Sequence, residues 1–295
     1  MGEGQAGRSA SEDERDVAAA LVQLVQQATA EVSDAGHRRE LVQLLGQLLS
    51  PAVCRRLGIY LWPDEFLLSI ILPAYNEAAT VGEVVERIDR VGVPYEIIAI
   101  DDASTDGTGQ ILDELAGRFP LRVIHHRHNQ GKGAAIRSGL GQVRGQVVLI
   151  QDADLEYDPC DYPLLLGPII QDRADVVFGS RFSSNDRPIS RYWHQTANRL
   201  VTLLSNMFTN LKLTDVETGY KVMRRELAEQ LGPRLREKGF GIELEITARL
   251  ARIKGVRFYE LPISYSPRGY AEGKKISWRD AVRALWCVVR YRFVP

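Results

Sequence analysis

No stretch of this sequence is apolar for long enough to cross a bilayer. The longest apolar runs, such as Leu67-Leu68-Ser69-Ile70-Ile71-Leu72, fall far short of the ~20 residues a spanning helix needs. The N-terminus is polar and acidic and lacks the apolar core of a secretion signal. Cysteine is scarce: Cys54, Cys160 and Cys287 stand far apart, without metal-ligand spacing. That pattern implies reduced thiols in a cytoplasmic protein. Charge of one sign is lacking too. A formal net charge of -1 over 295 residues gives no electrostatic footprint for nucleic acid. The Gly-x-x-x-x-Gly-Lys-[Ser/Thr] pattern is absent, which excludes a P-loop. No Gly-x-Gly-x-x-Gly follows the first strand candidate, which excludes a dinucleotide site of that kind. There is no internal repeat and no low-complexity tract. What remains is an ordinary globular composition, 45% apolar and 25% charged, in a length that suits one large domain with an appendage.

The most informative stretch is Val147-Val148-Leu149-Ile150-Gln151-Asp152-Ala153-Asp154-Leu155-Glu156. Four apolar residues read as a buried strand, and Asp152 and Asp154 follow at its end. Side chains alternate along an extended segment, so both carboxylates can lean the same way. Two close carboxylates repel and call for a partner, most simply Mg²⁺ or Mn²⁺. A cation held there can clamp a diphosphate. A solvated acidic turn is the plainer alternative.

From residue 65 onward strands and helices alternate. Leu67 to Leu72, Tyr95 to Ile100, Leu121 to Ile124, Val147 to Ile150, Asp175 to Gly179 and, later, Val256 to Tyr265 read as strands. Helical patterns lie between them, one opened by the capping box Thr80-Val81-Gly82-Glu83. The expected fold class is α/β, with a mostly parallel sheet covered by helices on both faces. Ligands in such sheets sit beyond the carboxyl ends of the strands. Tyr75-Asn76-Glu77, Asp101-Asp102, Asn129 to Gly133 and Asp152-Ala153-Asp154 all fall at those ends. Asp101-Asp102 suits recognition of base N–H or ribose hydroxyl groups. Gly131-Lys132-Gly133 suits close backbone approach to a diphosphate, with a cation beside it.

Pro73-Ala74-Tyr75-Asn76-Glu77, Asp101 to Thr108, Asn129-Gln130-Gly131-Lys132-Gly133 and Asp152-Ala153-Asp154 together resemble family 2 glycosyltransferases of the GT-A fold. The likeness is greatest to the branch containing dolichol-phosphate mannose synthase and the bacterial polyprenyl-phosphate glycosyltransferases, and it covers roughly residues 66 to 285. The resemblance implies an inverting, metal-dependent hexosyltransferase using a UDP- or GDP-sugar, with a polyprenyl phosphate as acceptor. It places the donor at Pro73, Tyr75, Glu77, Asp102, Lys132, Asp152, Ala153 and Lys275, and the metal at Asp152 and Asp154 with Glu156 as a third oxygen ligand. It assigns the acceptor phosphate to Ser180, Arg181 and Arg191, since arginine's planar fork suits a phosphate. Asp215-Val216-Glu217-Thr218-Gly219-Tyr220-Lys221 resembles the family's Asp-x-x-Thr-Gly-Phe-Lys segment, which implies that Asp215 sits beside the donor sugar or the attacking acceptor. The resemblance also brings Glu243 or Glu245 near the sugar hydroxyls, whereas dipole compensation at a helix start explains both more simply. Arg268 opens a basic glycine-containing loop over the diphosphate. Here the chain departs from the family's Arg-x-x-Gly-x-Ser-Lys, with longer spacing and Lys274-Lys275 in place of Ser-Lys.

Outside these motifs, residues 1–64 read as an appendage and 65–295 as the catalytic domain. In the appendage, Val17, Leu21, Leu24 and Val25, then Leu41, Leu44, Leu45 and Leu48, form the stripes of a helical hairpin. Those stripes would pack on the domain or on a second copy in a homodimer. Near the C-terminus, Val282, Leu285, Trp286 and Val289 share a helical face amid arginines. That helix would dock on the core or make peripheral contact with the inner face of a membrane. A soluble hydroxyl or polysaccharide acceptor stays open, with Asp215 as the base it would need. So does a non-catalytic nucleotide-sugar-binding module.

Overall fold

The computed structural model describes residues 62–183, 192–239, 241–267 and 286–291. The chain divides into two units, Met1–Leu61 and Trp62–Pro295. The whole first unit, with the expected hairpin, lies outside the described residues, as do Arg191, Arg268 and Lys275.

Within the second unit the aliphatic runs become strands. They are β1 (Leu68–Ala74), β2 (Tyr95–Asp101), β3 (Leu121–His125), β4 (Val147–Ile150), β5 (Val176–Ser180), β6 (Lys221–Arg224) and β7 (Phe258–Pro262). Their order in the sheet is β3-β2-β1-β4-β6-β5-β7. β1 lies centrally, parallel to β2 and β4. β6 runs antiparallel to β4 and β5, while β5 and β7 are parallel. The helices are α1 (Val81–Arg90), α2 (Thr108–Ala116), α3 (Lys132–Leu140), α4 (Tyr162–Ile170), α5 (Tyr192–Thr209), α6 (Arg225–Leu231) and α7 (Ile242–Leu250).

Both faces of the sheet are covered, as an all-aliphatic parallel core requires. Leu68, Ile70 and Leu72 of β1 pack with Val84 and Ile88 of α1, Leu112 of α2 and Leu165 of α4. Ile71 points the other way, onto Ile136 of α3 and the layer that holds Leu231 of α6 and Ile246 of α7. The alternation follows from the period-2 geometry of a strand. It leaves the carboxyl ends of β1, β2 and β4 as one rim.

β6 has no counterpart among the strands expected from sequence. It is only four residues long and opens on a lysine, so no apolar run marks it. Its partners on both sides complete the ladder. The capping box at Thr80 does not form, because that side chain makes no cap hydrogen bond. The hydroxyl lies instead 2.8 Å from Glu77 Oε2 and 2.9 Å from the Ala153 carbonyl. The start of α1 is thereby tied to the Asp152-Ala153-Asp154 turn, and Glu83 pairs with Arg87.

Residues 286–291 are helical. Cys287, Val288 and Tyr291 enter the core, whereas Trp286 and Val289 are 52% and 48% exposed. Of the apolar stripe read from sequence, the described members therefore face outward. The buried face carries Cys287 and Tyr291, which donate hydrogen bonds to Glu237 Oε2.

Candidate active site

β4 hands the chain to Gln151, whose buried amide oxygen accepts from the Tyr162 and Tyr220 hydroxyls at 2.7 and 2.8 Å. That anchor fixes where the following carboxylates emerge. Asp154 Oδ1 accepts the Glu156 amide at 3.1 Å, closing a tight turn. Asp152 Oδ1 meets the Lys132 ammonium at 2.7 Å, and the same ammonium stands 3.0 Å from Glu243 Oε1. Glu243 Oε2 receives Lys221 Nζ at 2.6 Å. Lys221 is fully buried and also donates to the Val216 and Thr218 carbonyls. Two ammonium groups and two carboxylates thus alternate at the end of the sheet.

Burial opposes the charge on Lys132, but the carboxylates of Asp152 and Glu243 outweigh it and hold its pKa above the ordinary lysine value. Burial wins at Lys221, whose pKa is lowered although Glu243 pulls the other way. Glu243 Oε1, facing Lys132, closes no hydrogen bond, and neither does the buried Thr218 Oγ1. Buried polar atoms are rarely left so in a completed site.

Asp152 Oδ2 rests against Gly219, where a Cβ would stand 2.5 Å from that oxygen and 3.0 Å from the Tyr157 ring. Only a residue without a side chain allows this contact. Gly219→Ala should therefore push Asp152 aside. We expect a loss of about 10²-fold in turnover from such a displacement, with the melting temperature nearly unchanged because a side-chain tip can yield. Unaltered kinetics would show that Asp152 needs no such seat.

A second cluster lies where β5 ends. Arg181 grips Asp215 with two bonds, Nε to Oδ2 at 2.6 Å and Nη2 to Oδ1 at 2.8 Å. Asp215 is wholly buried, and Asn198 of α5 donates to both it and Glu217. Burial raises the Glu217 carboxyl above the usual range. Ser180 Oγ is 2.6 Å from Thr214 Oγ1, within the same corner. The Arg181 guanidinium also covers the Tyr265 ring at 5.3 Å. Two residues expected at the acceptor, Ser180 and Arg181, are thus brought together with Asp215.

On the donor side Pro73 lies in the last turn of β1, and Tyr75 stands 48% exposed at the rim. The Glu77 amide donates to Thr108 Oγ1 at 2.8 Å, knitting this loop to the one after β2. Asp102 is buried. Its Oδ1 accepts from His126 Nδ1 and the Gln130 amide, and its Oδ2 from the Gly131 amide. These bonds hold the loop that delivers Lys132. From the opposite side the Gly133 amide donates to the Lys238 carbonyl at 2.8 Å. A Cβ at Gly133 would stand 2.3 Å from the Glu237 carbonyl, and Gly131 has φ 91°. Both glycines are required by position.

The donor set fits a hard divalent cation. Asp152 already holds a cation, the Lys132 ammonium, and Asp154 follows on the same turn. Glu156 is buried and 3.2 Å from the Tyr265 hydroxyl through Oε2. Among the described residues no three His, Cys, Asp or Glu side chains form a ready metal cage. Oxygens of a ligand such as a diphosphate would complete the coordination, as is common for Mg²⁺.

Sequence reasoning placed Lys221 only as the end of the family-like 215–221 segment and singled out neither Asn198 nor Tyr157. The Tyr157 hydroxyl oxygen accepts from the Gly219 amide at 2.9 Å. The usable signal for Lys221 was a lone charge heading the apolar Val222-Met223. Glu243 and Glu245, alike in sequence, separate in space. Glu245 accepts from the Arg236 and Glu237 amides and from Arg249, which is an architectural task.

The glycosyl transferase family 2 model matches residues 69–232. The chain is 29% identical over 212 residues to a dolichol-phosphate mannosyltransferase of Pyrococcus furiosus, covering 70% of this chain and 58% of that protein. It is 30% identical over 213 residues to an undecaprenyl-phosphate mannosyltransferase of Micrococcus luteus, covering 69% and 85%. The chain thus spans less than two thirds of the first relative. Among solved structures it is similar to glucosyl-3-phosphoglycerate synthase from Mycobacterium tuberculosis in complex with Mn²⁺, UDP and glucosyl-3-phosphoglycerate. The TM-score is 0.60 at 20% identity, covering 79% and 81% of the two chains. At that identity the likeness concerns the fold.

Proposed function

The chain belongs to glycosyl transferase family 2, and from that premise we propose that it transfers a hexose, with inversion, from a nucleoside-diphosphate sugar to a polyprenyl phosphate. The observation that carries this reading is the Lys132–Asp152 pair at the rim where β1, β2 and β4 end. It sets a diphosphate-binding cation and a metal-binding carboxylate side by side. Asp152 and Asp154 would hold Mg²⁺ or Mn²⁺, which would supply Lewis-acid stabilisation of the charge on the departing diphosphate. Exposed Tyr75 offers a face for the base, and Lys132 a charge for the phosphates. Glu243 Oε1, held only by the Lys132 ion pair, offers an acceptor to a sugar hydroxyl.

Two features support a phosphate acceptor. A phosphate oxygen is already ionised at neutral pH and needs no strong base. Asp215 suits that case, since both of its oxygens are engaged by Arg181. The same α5 that sends Asn198 to Asp215 exposes Leu200, Leu203 and Met207, by 50, 57 and 71%. It carries no acidic residue, and exposed Arg199 and Lys212 lie nearby. α5 and the 286–291 segment line one crevice through Phe208 and Val288, and Trp286 and Val289 of that segment are also exposed. An apolar ridge with basic flanks suits the interface of an anionic membrane, where a lipid phosphate resides. No helix of the described residues is long and apolar enough to cross a membrane.

A second reading, a hydroxyl acceptor, draws on Glu217, whose raised pKa suits a general base. Radiolabelled UDP- and GDP-sugars, offered with polyprenyl phosphate and Mg²⁺, separate the two. We expect label to pass into organic solvent and to stop doing so when EDTA removes the cation. Label moving only into a water-soluble product favours the second reading. Tight donor binding without transfer to any acceptor leaves a binding module.

A further inference from the structure

Lys132 and Lys221 both neutralise Glu243, but they differ in freedom. Lys221 is fully buried and donates to three oxygens at once, so it cannot leave. The Lys132 side chain is 16% exposed and stands at the first turn of α3, at the rim. Its backbone is clamped by Asp102 on one side and Lys238 on the other, so a movement there belongs to the side chain alone. If Lys132 swings away, Glu243 gives up the contact at Oε1 but keeps Lys221 at Oε2, whereas Asp152 Oδ1 loses its ion-pair partner.

The formal charges of Lys132, Lys221, Asp152 and Glu243 sum to zero. A bare divalent cation entering at Asp152 must displace the Lys132 ammonium from its 2.7 Å contact and stand beside it, because that ammonium stays tethered to Glu243. A cation arriving with a diphosphate brings its own compensation and offers the ammonium a new partner. We propose that Lys132 guards the cation seat: it excludes a bare divalent cation from Asp152 and yields it when cation and nucleoside diphosphate arrive together. This rests on the donor reading above. Binding is then ordered by charge balance, and Lys132 is a positioning residue as well as a phosphate contact.

The test measures Mn²⁺ binding by electron paramagnetic resonance, with and without UDP or GDP. Without nucleotide, Lys132→Met should bind Mn²⁺ about tenfold tighter than wild type, the scale of removing one nearby like charge in a screened site. Lys132→Arg, which keeps the charge, should stay near wild type. Adding Asp152→Asn to Lys132→Met should erase the gain, which separates this seat from other Mn²⁺ sites. Nucleoside diphosphate should tighten Mn²⁺ in wild type and do so less in Lys132→Met. Equal affinity of folded wild type and Lys132→Met for Mn²⁺ alone overturns the proposal. So does a ternary crystal in which the Lys132 ammonium remains on Asp152. Failure of wild type to bind either nucleotide sinks the donor reading instead, and the nucleotide-free comparison still reports on whether Lys132 excludes the cation.

Discussion

Asp152→Asn should lower sugar transfer by about 10³-fold or more, the scale of several kcal/mol of lost charge stabilisation in the transition state. The substitution preserves shape, so the seat against Gly219 stays filled. What it removes is the charge that holds Lys132 and that, in the proposed mechanism, would hold the cation during turnover. Folding should suffer little, because the Lys132 ammonium still has Glu243 and reaches solvent. The measurement is turnover beside a melting curve, and Asp154→Ala should behave alike. A variant at either position that turns over at the wild-type rate would falsify the metal-assisted mechanism. A variant that loses activity together with its melting transition has reported on folding and must be replaced by Asp152→Ser.

The rim of the sheet was legible in the sequence because parallel strands announce themselves. Val147-Val148-Leu149-Ile150 is buried and wholly apolar, and the polar Gln151 that follows marks its end, while Leu68 to Leu72 is broken only by Ser69, whose buried hydroxyl donates to Glu96. Asp152 could be placed for that reason. What could not be read were partnerships between distant segments. Nothing local distinguishes Glu243 from Glu245, two residues apart on α7. One faces Lys132 and Lys221, and the other caps the 236–237 backbone, because a helix turns by about 100° per residue and sends them to different neighbours. Asp102 shows the same limit. Its position at the end of β2 was evident, but not that its oxygens take the amides of Gln130 and Gly131, which sit beyond β3. Thr80 had the spacing of a cap, yet the Ala153 carbonyl from another strand's turn competes for its hydroxyl. Tertiary competition decided each of these.

The other large effect is expected at Arg181. Removing the guanidinium leaves Asp215 wholly buried with its two strongest donors gone. Truncating one partner of such a pair costs about 3–5 kcal/mol. In a domain of this size that corresponds to a fall in melting temperature of roughly 10 °C. Arg181→Ala should therefore lose both stability and transfer, and the single variant cannot tell which loss causes the other. Arg181→Met with Asp215→Leu can. Replacing both charges by apolar groups of similar bulk removes the stranded carboxylate, so most of the stability should return. Transfer should not return, since the corner then offers no positive charge to an acceptor phosphate. If the double variant regains both, the pair is scaffolding only, and the acceptor phosphate must be met elsewhere. If it regains neither, the neighbouring Asn198 needs Asp215 itself, because Asn198 donates to its carboxylate, whereas the backbone amide that Glu260 accepts remains in the leucine variant. Recovery of the fold without recovery of chemistry is the outcome that assigns Arg181 to the acceptor.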